Sequence, residues 1–156
     1  MKAIDEELIR RTLEIARQAR AAGNHPFGAL LTDAQGNILL EAENTVVTGK
    51  DITGHAETNL MRLASAAYSP EFLKTCTLYT STEPCAMCAG AIFWGNVRRV
   101  VFGLSEEGLY DFIPTGSEDI LLLPAEQVFA HGKKVIDVLG PVLEQEAEEV
   151  HLDFWD

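Results

Sequence analysis

Four residues in two short runs have the types and spacing to activate water. His55 and Glu57 stand in a His-Ala-Glu triplet, and Cys85 and Cys88 follow in the run Pro84-Cys-Ala-Met-Cys88. One neutral imidazole and two thiolates fill three positions of a tetrahedral zinc ion and leave the fourth for water, as catalytic rather than structural zinc requires. Zinc held this way brings the pKa of its water down to about 7. Glu57, free of the metal and two residues from a ligand, is placed to take that proton, pass it to a ring nitrogen and protonate a leaving amine. A redox cysteine pair has no need of His55 or Glu57. A closed zinc knuckle, or a catalytically inactive zinc-stabilised interaction module, wants a fourth ligand and has no use for a proton shuttle. The spare thiol, Cys76, heads an apolar strand and reads as a core residue. His25, His131 and His151 lack such partners and read as structural or exposed.

These side chains need helix starts to hold them. Gly54-His55 opens a helical stretch with Ala56, Leu60, Leu63, Ala64 and Ala67 on one face, ending before Ser69-Pro70. CTLYTST reads as a buried strand. Pro84 then suits an early helical position because it gives up no needed donor, so a second helix starts at Cys85. Three positions apart on a helix, Cys85 and Cys88 share a face. The unpaired N–H groups and positive dipole end of that first turn favour the thiolate.

The remaining elements follow from periodicity. Ile4, Leu8, Ile9, Leu13, Ile15 and Ala16 mark an amphipathic helix that Gly23-Asn24 stops. FGALLTD and NILLEAEN read as an antiparallel hairpin, and residues 45–53 as a polar loop. Asn96 closes the second site helix and RRVVFGL is a strand. The long stretch from Ser105 to Gly132 holds helical pieces around Leu109 and Glu126 before the strand KVIDVLG, so those two strands are parallel with a right-handed crossover. Val142 to Trp155 reads as a closing helix. The sum is a single domain over residues 1–156, an α/β/α three-layer sandwich around a five-stranded mixed sheet.

The balance of 12 basic against 24 acidic residues gives a net charge of −12. Nucleic-acid binding draws on Lys and Arg neutralising phosphates, so this balance speaks against DNA or RNA as partner and for a small neutral substrate. An odd number of cysteines, two of them sharing a candidate metal with a histidine, argues for a reducing compartment. Without an apolar run near the roughly 20 residues of a membrane span, and with a charged N-terminal stretch, the expectation is a cytoplasmic protein with no membrane contact.

His-x-Glu followed by Pro-Cys-x-x-Cys is the signature of zinc-dependent base deaminases. HPFGALL, the asparagine of EAEN, TGHAETNLMR, CTLYTSTEPCAMCAGAIFW and RRVVFG are similar to successive blocks of the cytidine and deoxycytidylate deaminase superfamily. The resemblance is to the branch holding guanine deaminases, fungal-type cytosine deaminases and tRNA adenosine deaminases. It implies a cytidine deaminase-like fold, one Zn²⁺ per subunit on His55, Cys85 and Cys88, and Glu57 as proton shuttle. It also implies that Asn44 binds the substrate ring, that Ala56 offers its backbone N–H to a ring carbonyl, that Phe27 lines the pocket, and that the protein is a homodimer.

The tRNA-editing branch usually reads Asp-Pro-Thr-Ala-His-Ala-Glu and ends in a basic tail, whereas this chain reads Asp51-Ile-Thr-Gly-His-Ala-Glu57 and ends in acids. Its last residues, His151-Leu-Asp-Phe-Trp-Asp156, carry two large rings that either pack the last helix or fold over the pocket as a lid. Trp155 and Asp156, with Phe112 of GLYDFIPTG, are therefore candidate substrate contacts, and Asp153 is an alternative to Asp156. The expected reaction is hydrolytic deamination of a free nucleobase or analogue by zinc-bound hydroxide, releasing ammonia. Guanine or an aminopyrimidinone such as isocytosine stands ahead of cytosine. Wobble-adenosine deamination in tRNA and nucleoside deamination are the alternatives.

Overall fold

The computed structural model describes residues 1–156. The apolar stripe of the N-terminal segment forms α1 (Ala3–Ala21), which buries Leu8, Ile9, Leu13, Ile15 and Ala16. The hairpin follows as β1 (Gly28–Thr32) and β2 (Ile38–Glu43), antiparallel, with a register shift between Leu31 and Thr32. The segment after it contains a short turn of helix, α2 (Val46–Gly49), before α3 (Ala56–Ala67). Ser69 accepts a hydrogen bond from Phe72 N–H and caps α4 (Pro70–Leu73). Next come β3 (Thr77–Thr82), α5 (Ala86–Trp94), β4 (Arg99–Leu104) and α6 (Glu106–Tyr110). The chain closes with α7 (Ala125–Ala130), β5 (Asp137–Leu139) and α8 (Glu144–Glu149).

The sheet order is β2-β1-β3-β4-β5. β1 is antiparallel to β2 and β3, whereas β3, β4 and β5 run parallel. This is the expected five-stranded mixed sheet, and every residue of β1 and β3 is buried, as central strands covered on both faces must be. One face packs Leu8, Ile9 and Leu13 of α1 and Ala147 of α8 against Leu30, Tyr79 and Val101. The other packs Leu60 and Ala64 of α3, Ile92 of α5 and Phe129 of α7 against Leu31, Leu78 and Val100. Gly28 lets α1 approach β1 closely: a Cβ there would lie 2.5 Å from the Thr12 carbonyl oxygen.

Two boundaries differ from the sequence expectation. The closing helix spans only Glu144–Glu149, because the chain turns after Val150 and Asp153 adopts φ 60°, which brings the terminal aromatics back over the domain. Pro84 lies outside α5: Cys85 itself is the N-cap, in extended conformation, and the helix begins at Ala86. Proline disfavours helical geometry in the residue before it and here serves as the entry to the cap.

One ionic network ties α1 to the sheet. Asp5 accepts hydrogen bonds from Tyr79 Oη (2.6 Å), Arg99 Nη2 (2.8 Å) and Lys2 N–H (2.7 Å). Burial alone would raise its pKa, but the Arg99 and Tyr79 hydrogen bonds outweigh burial and hold it at about 2. A depressed carboxylate contributes stability that is present above its ordinary pKa and lost as pH falls through the folded value. Asp5→Asn is therefore expected to cost about 3 kcal/mol at pH 7. Urea midpoints should show the gap between variant and wild type closing as pH falls from 4 toward 2.

Candidate active site

His55 and Cys85 occupy equivalent places, the N-caps of α3 and α5, both with extended backbone. Cys88 follows within the first turn of α5, fully buried. Both helix starts lie beyond the C-terminal end of β3, where parallel sheets characteristically place their ligands. The loop before α3 is fixed by Asn59, whose Nδ2 donates to the Glu43 carbonyl (3.0 Å) and Thr45 Oγ1 (2.9 Å).

The His55 Nδ1 to Cys85 Sγ and Cys88 Sγ distances are 3.5 and 3.6 Å. Zinc bonds of about 2.1 Å to nitrogen and 2.3 Å to sulfur at a tetrahedral angle require separations of about 3.6 Å. The three donors therefore fit a zinc ion, with an imidazole and two sulfurs as its natural ligand set. Hydrogen bonding from the Cys88 thiol and from His55 pulls Cys85 down to about 4. Cys88 is held well above the usual thiol range by its hydrogen bond to Cys85 and by burial. A divalent cation between them favours the thiolate at both. Thr58 Oγ1 lies 3.2 Å from Cys88 Sγ.

Glu57 is buried beside this group, and burial together with the Cys85 charge pushes its pKa up to about 7. An inner cavity of about 110 Å³ is lined by Phe27, His55, Glu57, Thr82, Glu83, Cys85, Glu106, Leu109 and Tyr110. A larger outer chamber of about 610 Å³ shares Phe27, His55, Leu109 and Tyr110 with it and adds Asn44, His25 and Trp155. Neither lining contains a Lys or Arg.

Of the sequence candidates, His55, Glu57, Cys85 and Phe27 meet at the inner cavity, with Cys88 behind it. Asn44 and Trp155 line the outer chamber. The Asn44 side-chain oxygen also accepts from Val46 N–H (3.0 Å), so this residue forms a turn as well as facing the chamber. Ala56 is fully buried as the first residue of α3, where an N–H has no intrahelical partner. Phe112 packs 5.9 Å from the His151 ring, and the wall beside it is made by Leu109, Tyr110 and Ile113. Asp153 and Asp156 are exposed and line neither space.

The tail is anchored by Trp155, whose Nε1 donates to His151 Nδ1 (3.1 Å) while its ring lies 5.4 Å from His25 and 6.0 Å from Phe27. Sequence reasoning missed Glu83, Glu106, Tyr110 and the chamber position of His25. Glu83 could have been found from its place just before Pro84-Cys85, whereas Glu106, just past the end of β4, carried no local signal.

An α/β/α domain with a mixed sheet, holding an imidazole, two thiols and a buried carboxyl at facing helix starts, defines a metal-dependent, water-activating hydrolase. Residues 2–104 match the cytidine and deoxycytidylate deaminase zinc-binding region, and the chain belongs to that family of deaminases. It is 41% identical to a probable cytosine deaminase of Schizosaccharomyces pombe over 97% of this chain and 93% of that one. A tRNA-specific adenosine deaminase of Haemophilus influenzae is 41% identical over 65% of this chain and 59% of its own length. Among solved structures, a guanine deaminase from Nitrosomonas europaea superposes with a TM-score of 0.77 at 26% identity, over 97% of this chain and 84% of that one.

Proposed function

We propose that this deaminase hydrolyses a free nucleobase or close analogue, an aminopyrimidinone or guanine, with Glu57 moving the protons. The observation that carries the reading is the cavity beside the metal group: it is lined by carboxyls and apolar rings and has no cation to receive a phosphate. The relatives named for cytosine and guanine support a base as substrate.

His55, Cys85 and Cys88 would hold the zinc ion, which would supply a nucleophilic water at neutral pH. Glu57, with a pKa near 7, is suited both to take a proton from the attacking water and to give one back. It delivers the first proton to the ring nitrogen next to the amino-bearing carbon as the C–O bond forms. It then takes the remaining proton from the new hydroxyl group and gives it to the amine as the C–N bond breaks, leaving a carbonyl and ammonia. Phe27 stacks along the ring, Asn44 and the Ala56 N–H orient its polar edge, and Trp155 shields the chamber from water. Phe112 supports this cover from behind through His151, and the exposed Asp156 reaches substrate only if the tail moves.

The reading also carries a single domain acting in the cytoplasm as a homodimer. The exposed Trp94 on α5 supplies apolar surface for a second copy. No helix is long and apolar enough to cross a membrane.

Ammonia release from guanine, isocytosine, cytosine, their nucleosides and a tRNA anticodon stem-loop tests the proposal. Turnover of at least one free base is expected, with kcat/KM about 100-fold or more above its nucleoside, since the ribose must displace the tail. Activity confined to nucleosides or to the stem-loop overturns it.

A further inference from the structure

Two residues that line the inner cavity each carry a buried side-chain oxygen without a hydrogen-bond partner: Glu106 Oε1 and Thr82 Oγ1. Their residues are only 2% and 3% exposed. A buried oxygen left in this condition is costly and calls for a ligand. Neighbouring polar groups are already engaged. The Glu83 carboxylate accepts from Glu106 N–H (2.9 Å) and Ala125 N–H (3.0 Å), which makes it a strut for the segment after β4. Tyr110 Oη accepts from Leu121 N–H (3.1 Å) and donates to the Leu121 carbonyl (3.0 Å). Glu106 itself is held on one side only, its Oε2 accepting from Leu123 N–H (3.1 Å).

We propose that Glu106 and Thr82 form a second hydrogen-bonding wall that reads an N–H-bearing edge of the ring, and so decide which amino-heterocycles the site accepts. The assignment rests on the free-base reading and deepens it. A carboxyl oxygen accepts from an amino group or ring N–H, and a threonine hydroxyl beside it pairs with either a donor or an acceptor on the same edge. Burial and the Glu83 charge push Glu106 up to about 8. A substrate N–H supplies the donor that this carboxyl lacks and favours its charged form. The pair specifies; it does not transfer the reacting protons, which belong to Glu57.

Glu106→Gln is the sharpest test. A glutamine that keeps its oxygen on Leu123 N–H turns its amide NH₂ into the cavity, donor against donor. For the best free base, KM is expected to rise at least about tenfold with kcat changed much less, since unpaired buried polar groups reject a ligand strongly. The wild type should discriminate against that base methylated at one of its ring N–H or amino positions, and Glu106→Gln should lose about tenfold of that discrimination. Thr82→Val should shift the same ratio in the same direction, and it serves if Glu106→Gln does not fold. Zinc content and Tm are measured alongside. Unaltered selectivity in well-folded Glu106→Gln and Thr82→Val, with wild-type turnover of free bases intact, overturns this assignment alone. Absence of free-base turnover by the wild type overturns the free-base reading and the assignment together.

Discussion

Glu57→Ala is expected to leave a folded protein with its zinc in place and turnover lowered roughly 10⁴-fold. The reasoning is positional. Glu57 is not among the three donors that gather within 4.8 Å of one another, so its loss leaves the ligand set complete. It lies in the first turn of α3, buried, where alanine keeps the helix and removes only the carboxyl. Both proton transfers are assigned to this one group, so no second residue takes over, and the loss should fall on kcat rather than KM. Metal analysis, Tm and ammonia release together separate this outcome from unfolding. Turnover within tenfold of the wild type removes Glu57 from the mechanism.

Cys85→Ala should fail differently, losing metal, stability and activity at once. The thiol ties the start of α5 to His55 on α3, and the fully ionised ligand set exists only around a cation. If zinc is supplied at about 1,000 times its dissociation constant, losing the site forfeits about 4 kcal/mol. For a chain of this length that lowers Tm by roughly 10 °C. Added zinc should raise the Tm of the wild type and leave that of the variant unmoved. A variant that still binds one zinc with wild-type affinity would show that the metal lies elsewhere.

The elements that hold the metal group were legible because their signals are local. Ligand types, the three-residue spacing of Cys85 and Cys88, and the helix-start signals at Gly54 and Pro84 all lie within a few positions of the atoms concerned. The sheet was legible for a similar reason: the long link from β4 to β5 forces a parallel pair. The cavity wall was less so. Glu106 reaches the inner cavity only because β3 and β4 run side by side and end together, a long-range fact that a charged residue after a strand does not announce. The tail was misread as helix because the acidic stretch before it has good helical composition. A turn after Val150, with Asp153 at positive φ, instead carries Trp155 back onto His151. Its other ring partners, His25 and Phe27, come from the opposite end of the chain, at the entry to β1.

Titration of metal-stripped protein with Zn²⁺, following bound metal and ammonia release from a free base in the same samples, tests the central claim most directly. Metal content and turnover should rise together and level off at one zinc per chain. Full turnover in protein that holds no stoichiometric metal would contradict the account.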